Sequence, residues 1–226
     1  MQDFPFDIVG FDLDGTLLDT AEDLAAALNH ALAGLGRPTL PVAAVRGMIG
    51  RGTRHMLDLG LAATGGSDAA LLEATYPALL DHYAAHIAVH SRPYPGLEDA
   101  LEALSARGVA LAVVTNKLER LAVQLLDETG LDRHFSVVIG GDTTPEPKPS
   151  GTPIREMVRR CGGGPGAFVG DSIYDILAAR DAGVPSVAVR FGFLGDDAEP
   201  LEADATIDDF AALVPTLEWL GVQAGR

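Results

Sequence analysis

Sulfur, aromatic residues and positive charge are all scarce in this chain, and each scarcity excludes something. A single cysteine, Cys161, stands among 226 residues, so no internal disulfide can form and a reducing compartment is the expected setting. Lysine is nearly missing: Lys117 and Lys148 are the only two, against fourteen arginines. Acidic residues outnumber basic ones 32 to 16, for a formal net charge of -16, and no basic run exists to track a phosphate backbone. Nucleic acid is therefore not an expected partner. No apolar stretch is long enough to span a bilayer, so no membrane is expected either. The opening "MQDFPFDIVGF" is interrupted by Asp3 and Asp7 and lacks a basic start and a cleavage site, which makes the cytoplasm the expected location.

What is present is an ordinary globular composition, 47% hydrophobic and 21% charged, enough for one sizeable core that carries a smaller unit. Short apolar runs recur between longer amphipathic stretches: "FDIVGF", "VALAVVT", "SVVIG", "GAFVGD" and "SVAVRF". Strands of this length alternating with helical patterns imply a doubly wound α/β fold, a parallel sheet covered on both faces in the Rossmann-like manner. "GLEDALEALSARG" and "LERLAVQLLDETG" read as helices that end in glycine. The interval from Thr20 to Arg92 breaks the alternation, with helical spacing in "AEDLAAALNHALAGLG" and "DAALLEATYPALLDHYAAHIAVH". An all-helical domain at 20–92, inserted into an α/β core of 1–19 and 93–226, is the expected organisation, and "SRPYPG" suits a stiff hinge on its return.

Ligands of open parallel sheets bind beyond the carboxyl ends of the strands. Those ends read Asp12 and Asp14, then Thr115, Asn116 and Lys117, then Gly141 and Asp142, then Asp171 and Asp175; Lys148 lies in a loop able to reach the same edge. Carboxylates, a hydroxyl and a lysine converging at one place suit a hard divalent cation with oxygen ligands, most naturally Mg2+, with a phosphate completing its shell. If Asp12 attacks a phosphate dianion, each charge pair at about 4 Å contributes about 4 kcal/mol of repulsion at an effective dielectric of about 20. A cation held by Asp12 and Asp171 offsets that repulsion, while Lys148 and Thr115 meet phosphate oxygens. Asp12 would then stay ionised as the nucleophile, and Asp14 would carry a proton for the leaving alcohol and later take one from water. Gly15 allows the turn that aims the two aspartates, and Thr16 is expected to bond within it.

"DLDGTLLD", "VVTN", the lysine of "KPSGTP" and "GDSIYD" resemble, in order, the four motifs of the haloacid dehalogenase superfamily of phosphohydrolases. The resemblance implies Asp12 as nucleophile, Asp14 as general acid/base, Thr115 as phosphate-binding hydroxyl and Lys148 as clamp. It implies a metal held by Asp12, the backbone carbonyl of Asp14 and Asp171, with Asp175 behind them, and a helical cap that closes over substrate. Within the superfamily, "FDLDGTLLDTAEDLAAALNHAL", "VRGMIGRGTRHML", "RPYPG", "VVTNK" and "VVIGGDT" look most like bacterial phosphoglycolate phosphatases. That implies hydrolysis of 2-phosphoglycolate, a small phosphorylated metabolite, by a monomer or homodimer. The family's lysine loop usually reads Lys-Pro-x-Pro, whereas Gly151 takes the second proline's place here.

Dehalogenases lack the second aspartate, and phosphonate-cleaving relatives need a cap lysine that 20–92 does not contain. Hydrolysis of another phosphometabolite, such as a sugar phosphate or pyrophosphate, remains an alternative, as does a sugar-phosphate mutase. A phospho-aspartate signalling receiver shares the residue types but places its aspartate at a later strand. "RGMIGRGTRH" offers Arg46, Arg51 and Arg54 for a substrate carboxylate, and Arg51, between Gly50 and Gly52, is the preferred candidate, with the Gly50 backbone beside it and Asn116 a further contact. Lys117 either touches substrate or starts a helix. His82, His86 and His90, four apart, are expected on a solvated helix face, and "CGGGPG" is expected to be a loop.

Overall fold

The computed structural model describes residues 4–193 and 201–224. Strand β1 (Ile8–Phe11) leads into a tight turn and a two-residue strand, β2 (Leu18–Asp19). Four helices follow, α1 (Ala21–Gly34), α2 (Val42–Arg46), α3 (Thr53–Gly65) and α4 (Ala69–Ala85), before strand β3 (Arg92–Pro93). The remainder alternates: α5 (Leu97–Ser105), β4 (Ala110–Val114), α6 (Glu119–Glu128), β5 (Val137–Ile139), α7 (Thr152–Arg160), β6 (Gly166–Gly170), α8 (Ile173–Ala182), β7 (Ser186–Val189), β8 (Ala205–Ile207) and α9 (Leu213–Ala224).

The main sheet has the order β5-β4-β1-β6-β7-β8 and is parallel throughout. It is the expected doubly wound α/β architecture, and β1 shows why the sequence folds this way. Its four residues are all buried, with Val9 and Phe11 in the larger core and Ile8 in a second cluster with Ile154, Met157, Ala178 and Ala179 of α7 and α8. Alternate side chains thus feed the two faces. Gly10 is required between them, because a methyl group there would collide with Met157 and Phe168. Strand β8, three residues at the sheet edge, has no counterpart among the expected strands.

The helical insertion stands on a two-stranded ribbon. β2 and β3 pair antiparallel, Leu18 opposite Pro93 and Asp19 opposite Arg92, so the outgoing and returning chains are held together. Asp23 of α1, 3% exposed, fastens the return by accepting from the backbone of His90 and from both the backbone and hydroxyl of Ser91. A buried carboxylate with this many donors is well satisfied. Inside the insertion, Leu24, Leu28 and Leu32 of α1 and Leu79 and Tyr83 of α4 are fully or nearly fully buried. The histidines divide: His30 of α1, His82 and His86 stack face to face at 4.2 and 4.4 Å, while His90 lies 3.6 Å from Glu22. Among the described residues these rings do not come together as a metal-holding group.

Candidate active site

The turn after β1 is built by hydrogen bonds from the amides of Thr16, Leu17 and Leu18 to Leu13 O, with Gly15 at φ +88°. Gly15 also packs against Asp171, where any Cβ would strike the carboxylate. Thr16 departs from expectation: its hydroxyl donates out of the turn to Asp171 Oδ1 at 3.3 Å. Asp12 and Asp14 consequently face different neighbours.

Asp12, Asp171 and Asp175 bring carboxylate oxygens within 4.8 Å of one another, and all three are buried. Asp175 is committed to structure: its Oδ2 accepts from the amide and hydroxyl of Ser172, closing a capping box at the start of α8, and its Oδ1 accepts from Lys148 Nζ at 2.6 Å. Lys148 Nζ also donates to Val114 O at 2.8 Å and lies 2.9 Å from Asp12 Oδ1. That Asp12 oxygen is buried with an ionic neighbour but no aligned hydrogen bond. Burial, with the charges of Asp175 and Asp14 added, pushes the Asp12 carboxyl up to about 6 despite Lys148. Asp171 is raised well above the usual carboxylate range by burial, Asp175 and Asp12. Burial works to lower the Lys148 ammonium, but Asp12 and Asp175 outweigh it and the net shift is upward. Three buried carboxylates against one ammonium, one oxygen of them unpartnered, form an all-oxygen donor set that fits a hard divalent cation.

Asp14 points away from this cluster. Lys117 Nζ meets its two oxygens at 2.7 and 2.8 Å, and the Thr20 hydroxyl donates to Oδ1 at 2.7 Å. Lys117 is 2% exposed and neither begins α6, which starts at Glu119, nor reaches solvent. Its ammonium sits 4.7 Å from the centre of the Tyr83 ring on α4. Burial lowers this ammonium's affinity for its proton, yet Asp14 more than compensates and the net shift is upward.

Between sheet and insertion lies a cleft of about 350 Å³, its mouth included, lined by Asp12, Asp14, Thr115 and Lys117 from the core and by Leu24, Ile49, Gly50, Gly52, Thr53 and Met56 from the insertion. Asn116 lines it too, but both hydrogens of its amide are occupied, donating to Gly50 O at 2.9 Å and Lys148 O at 3.0 Å. It ties the insertion loop to the lysine loop, a role its place after a strand could not reveal. Arg51 stands at the rim, exposed, its guanidinium 5.7 Å from the centre of the Tyr174 ring, and is not among the residues that line the cleft. Arg46, the neighbouring candidate arginine, is committed elsewhere: it donates to Asp19 Oδ2 at 2.6 Å and lies over Phe193. Asp142 serves the scaffold by accepting from Glu119 N at the start of α6. Gly151 suits the lysine loop in its own way: its amide donates to Asp181 at 2.6 Å, which a proline cannot do, and a side chain there would collide with the end of α8.

Comparison with known proteins decides the family. The model of haloacid dehalogenase-like hydrolases matches residues 9–189, from the first strand to the end of β7. The chain belongs to this family. Among similar hydrolases, phosphoglycolate phosphatase of Agrobacterium fabrum is 44% identical over 92% of this chain and 90% of its own length. Phosphoglycolate phosphatase of Caulobacter vibrioides is also 44% identical, over 89% and 86%. In three dimensions, a predicted phosphoglycolate phosphatase from Haemophilus somnus superposes with a TM-score of 0.87 at 32% identity, covering 94% of this chain and 98% of that one. This haloacid dehalogenase-like hydrolase has, among its described residues, no helix long and apolar enough to cross a membrane.

Proposed function

We propose that the chain is a Mg2+-dependent phosphomonoester hydrolase that converts 2-phosphoglycolate to glycolate and phosphate through an aspartyl-phosphate on Asp12. The observation that carries this reading is the position of Asp12, the one residue that belongs both to the carboxylate trio and to the cleft wall. The choice of substrate is supported by relatives named phosphoglycolate phosphatase that match over most of both chains. Residues 20–92 act as the cap on a core of 1–19 and 93–226, and the enzyme works in the cytoplasm as a monomer or homodimer.

Asp12 and Asp171 would hold the metal together with the backbone carbonyl of Asp14, with Asp175 anchoring Lys148 behind them. The cation supplies charge neutralisation for the phosphoryl group and for the attacking carboxylate. An Asp12 oxygen forms the bond to phosphorus as the ester P–O bond breaks, and the departing glycolate oxygen takes its proton from Asp14. Asp14 then takes a proton from water, whose oxygen displaces Asp12 and releases phosphate. The Thr115 hydroxyl and the Lys148 ammonium donate to the phosphoryl oxygens. The Gly50 backbone and Asn116 shape the wall facing the glycolyl group, whereas Arg51, the residue expected to meet the substrate's carboxylate, lies over Tyr174 and outside the cleft lining. Since both oxygens of Asp14 are engaged by Lys117, handling a proton requires that grip to loosen when substrate enters.

Phosphate release from phosphoglycolate, sugar phosphates, nucleotides, pyrophosphate and p-nitrophenyl phosphate, with Mg2+ and with chelator, tests the reading. Mg2+-dependent preference for phosphoglycolate is expected. Preference for a sugar phosphate would keep the chemistry and reject the substrate, whereas isomerised sugar phosphate without phosphate release would indicate a mutase.

A further inference from the structure

Arg51 lies over Tyr174 and outside the cleft lining, which leaves open what receives the carboxylate of an anionic substrate. Only one cationic side chain lines the cleft among the described residues, and it is Lys117. We propose that Lys117 is the counter-ion of the substrate's carboxylate and thereby the residue that selects a phosphorylated hydroxy acid over a neutral phosphate ester.

Three features carry this inference, which rests on the phosphatase reading above. First, the other cleft-side groups offer nothing positive: Leu24, Ile49 and Met56 are apolar, Asp12 and Asp14 are anionic, and the Thr53 hydroxyl is shared with Tyr76 at 3.0 Å. A carboxylate placed there without a cation would face two like charges in a partly desolvated space. Second, Lys148 does not line the cleft: its ammonium sits on the metal side, beside Val114 O, Asp175 and Asp12, where the phosphoryl group is received. Third, among the described residues the Lys117 ammonium hydrogen-bonds to one group alone, the Asp14 carboxylate. Two of its contacts go to Asp14, and on another side it meets the face of the Tyr83 ring, whose buried hydroxyl has no partner. An ammonium is a compact charge with three rotatable donors, so it can shift from Asp14 toward an arriving carboxylate without leaving its pocket. That shift would free an Asp14 oxygen to handle the leaving-group proton.

The test compares phosphoglycolate with 2-hydroxyethyl phosphate, in which a neutral hydroxymethyl group replaces the carboxylate. Wild type should prefer phosphoglycolate in kcat/KM, and Lys117→Gln should shrink that preference by about 10- to 100-fold, the worth of one hydrogen bond to a charged group, mainly through KM. Lys117→Arg should retain most of it, and Arg51→Ala should leave it nearly intact. Equal losses on both esters in Lys117→Gln, or collapse of the preference in Arg51→Ala alone, would overturn the assignment. Absence of any preference in active wild type would instead reject phosphoglycolate as the substrate.

A second measurement needs no variant. The chain has only two lysines, so 15N-lysine labelling gives two ammonium signals. The phosphonate analogue 3-phosphonopropionate should move both, and propylphosphonate, lacking the carboxylate, should move Lys148 and leave Lys117 in place. A Lys117 signal that moves equally with both, or with neither, rejects the proposal.

Discussion

Asp12→Asn is expected to stabilise the metal-free protein while destroying its activity. Asp12, Asp171 and Asp175 crowd within 4.8 Å, and burial above all holds the Asp12 carboxyl near 6 against an ordinary 3.8. Between those values the folded chain binds more protons at Asp12 than the unfolded chain does. Its contribution to stability is therefore full below the unfolded value and is lost as pH rises through about 6. At about 1.4 kcal/mol per pH unit, the loss is about 3 kcal/mol. Asparagine has no charge to bury and keeps an oxygen beside Lys148. At pH 8 in chelator the variant should therefore exceed wild type by about 3 kcal/mol, or a Tm higher by about 6 to 12 °C for a chain of this size. The gap should close toward pH 4, where wild-type Asp12 is protonated. Mg2+ at about 100 times its Kd should return about 2.7 kcal/mol to wild type and much less to the variant. Thermal and urea unfolding at pH 4, 6 and 8, with chelator and with Mg2+, measures all of this. A variant that melts at or below wild type at pH 8 in chelator refutes the claim that the cluster is held together against its own charge.

Lys148→Met removes the ammonium that faces the buried carboxylates of Asp12 and Asp175 and should cost about 3 to 5 kcal/mol in metal-free urea titrations; a cost below about 1 kcal/mol would mean that those charges are satisfied elsewhere. Gly15→Ala forces a side chain into φ +88° and against the Asp171 carboxylate, so about 1 to 3 kcal/mol of stability and much of the Mg2+ affinity should be lost together. Retained metal affinity in a calorimetric titration would separate Asp171 from the metal. Asp14→Asn should reduce kcat on phosphoglycolate by about 10²- to 10⁴-fold. With p-nitrophenyl phosphate it should still give a first-turnover burst of nitrophenolate, a leaving group that needs no proton, and a burst lost in step with phosphoglycolate turnover would remove Asp14 as the acid.

Much of this molecule is legible in the chain because local rules govern it. Apolar runs such as "FDIVGF" and "VALAVVT" fix buried parallel strands, and chain direction in a parallel sheet then sends Asp12, Thr115 and Asp171 to one edge. The helical insertion follows from spacing alone. Strand β8 escaped because "ATI" at a sheet edge carries no periodic signal, and the ribbon of β2 and β3 because two residues show no alternation. The site divides along the same line. Residue type and strand position determined the carboxylates and Lys148. Tertiary packing decided which partner each side chain faces: Lys117 grips Asp14 across 103 positions, Asn116 reaches Gly50 across 66, and Arg51 turns outward onto Tyr174. Such pairings depend on how the helical insertion packs against the end of the sheet, and periodicity within one segment does not encode that distance or direction.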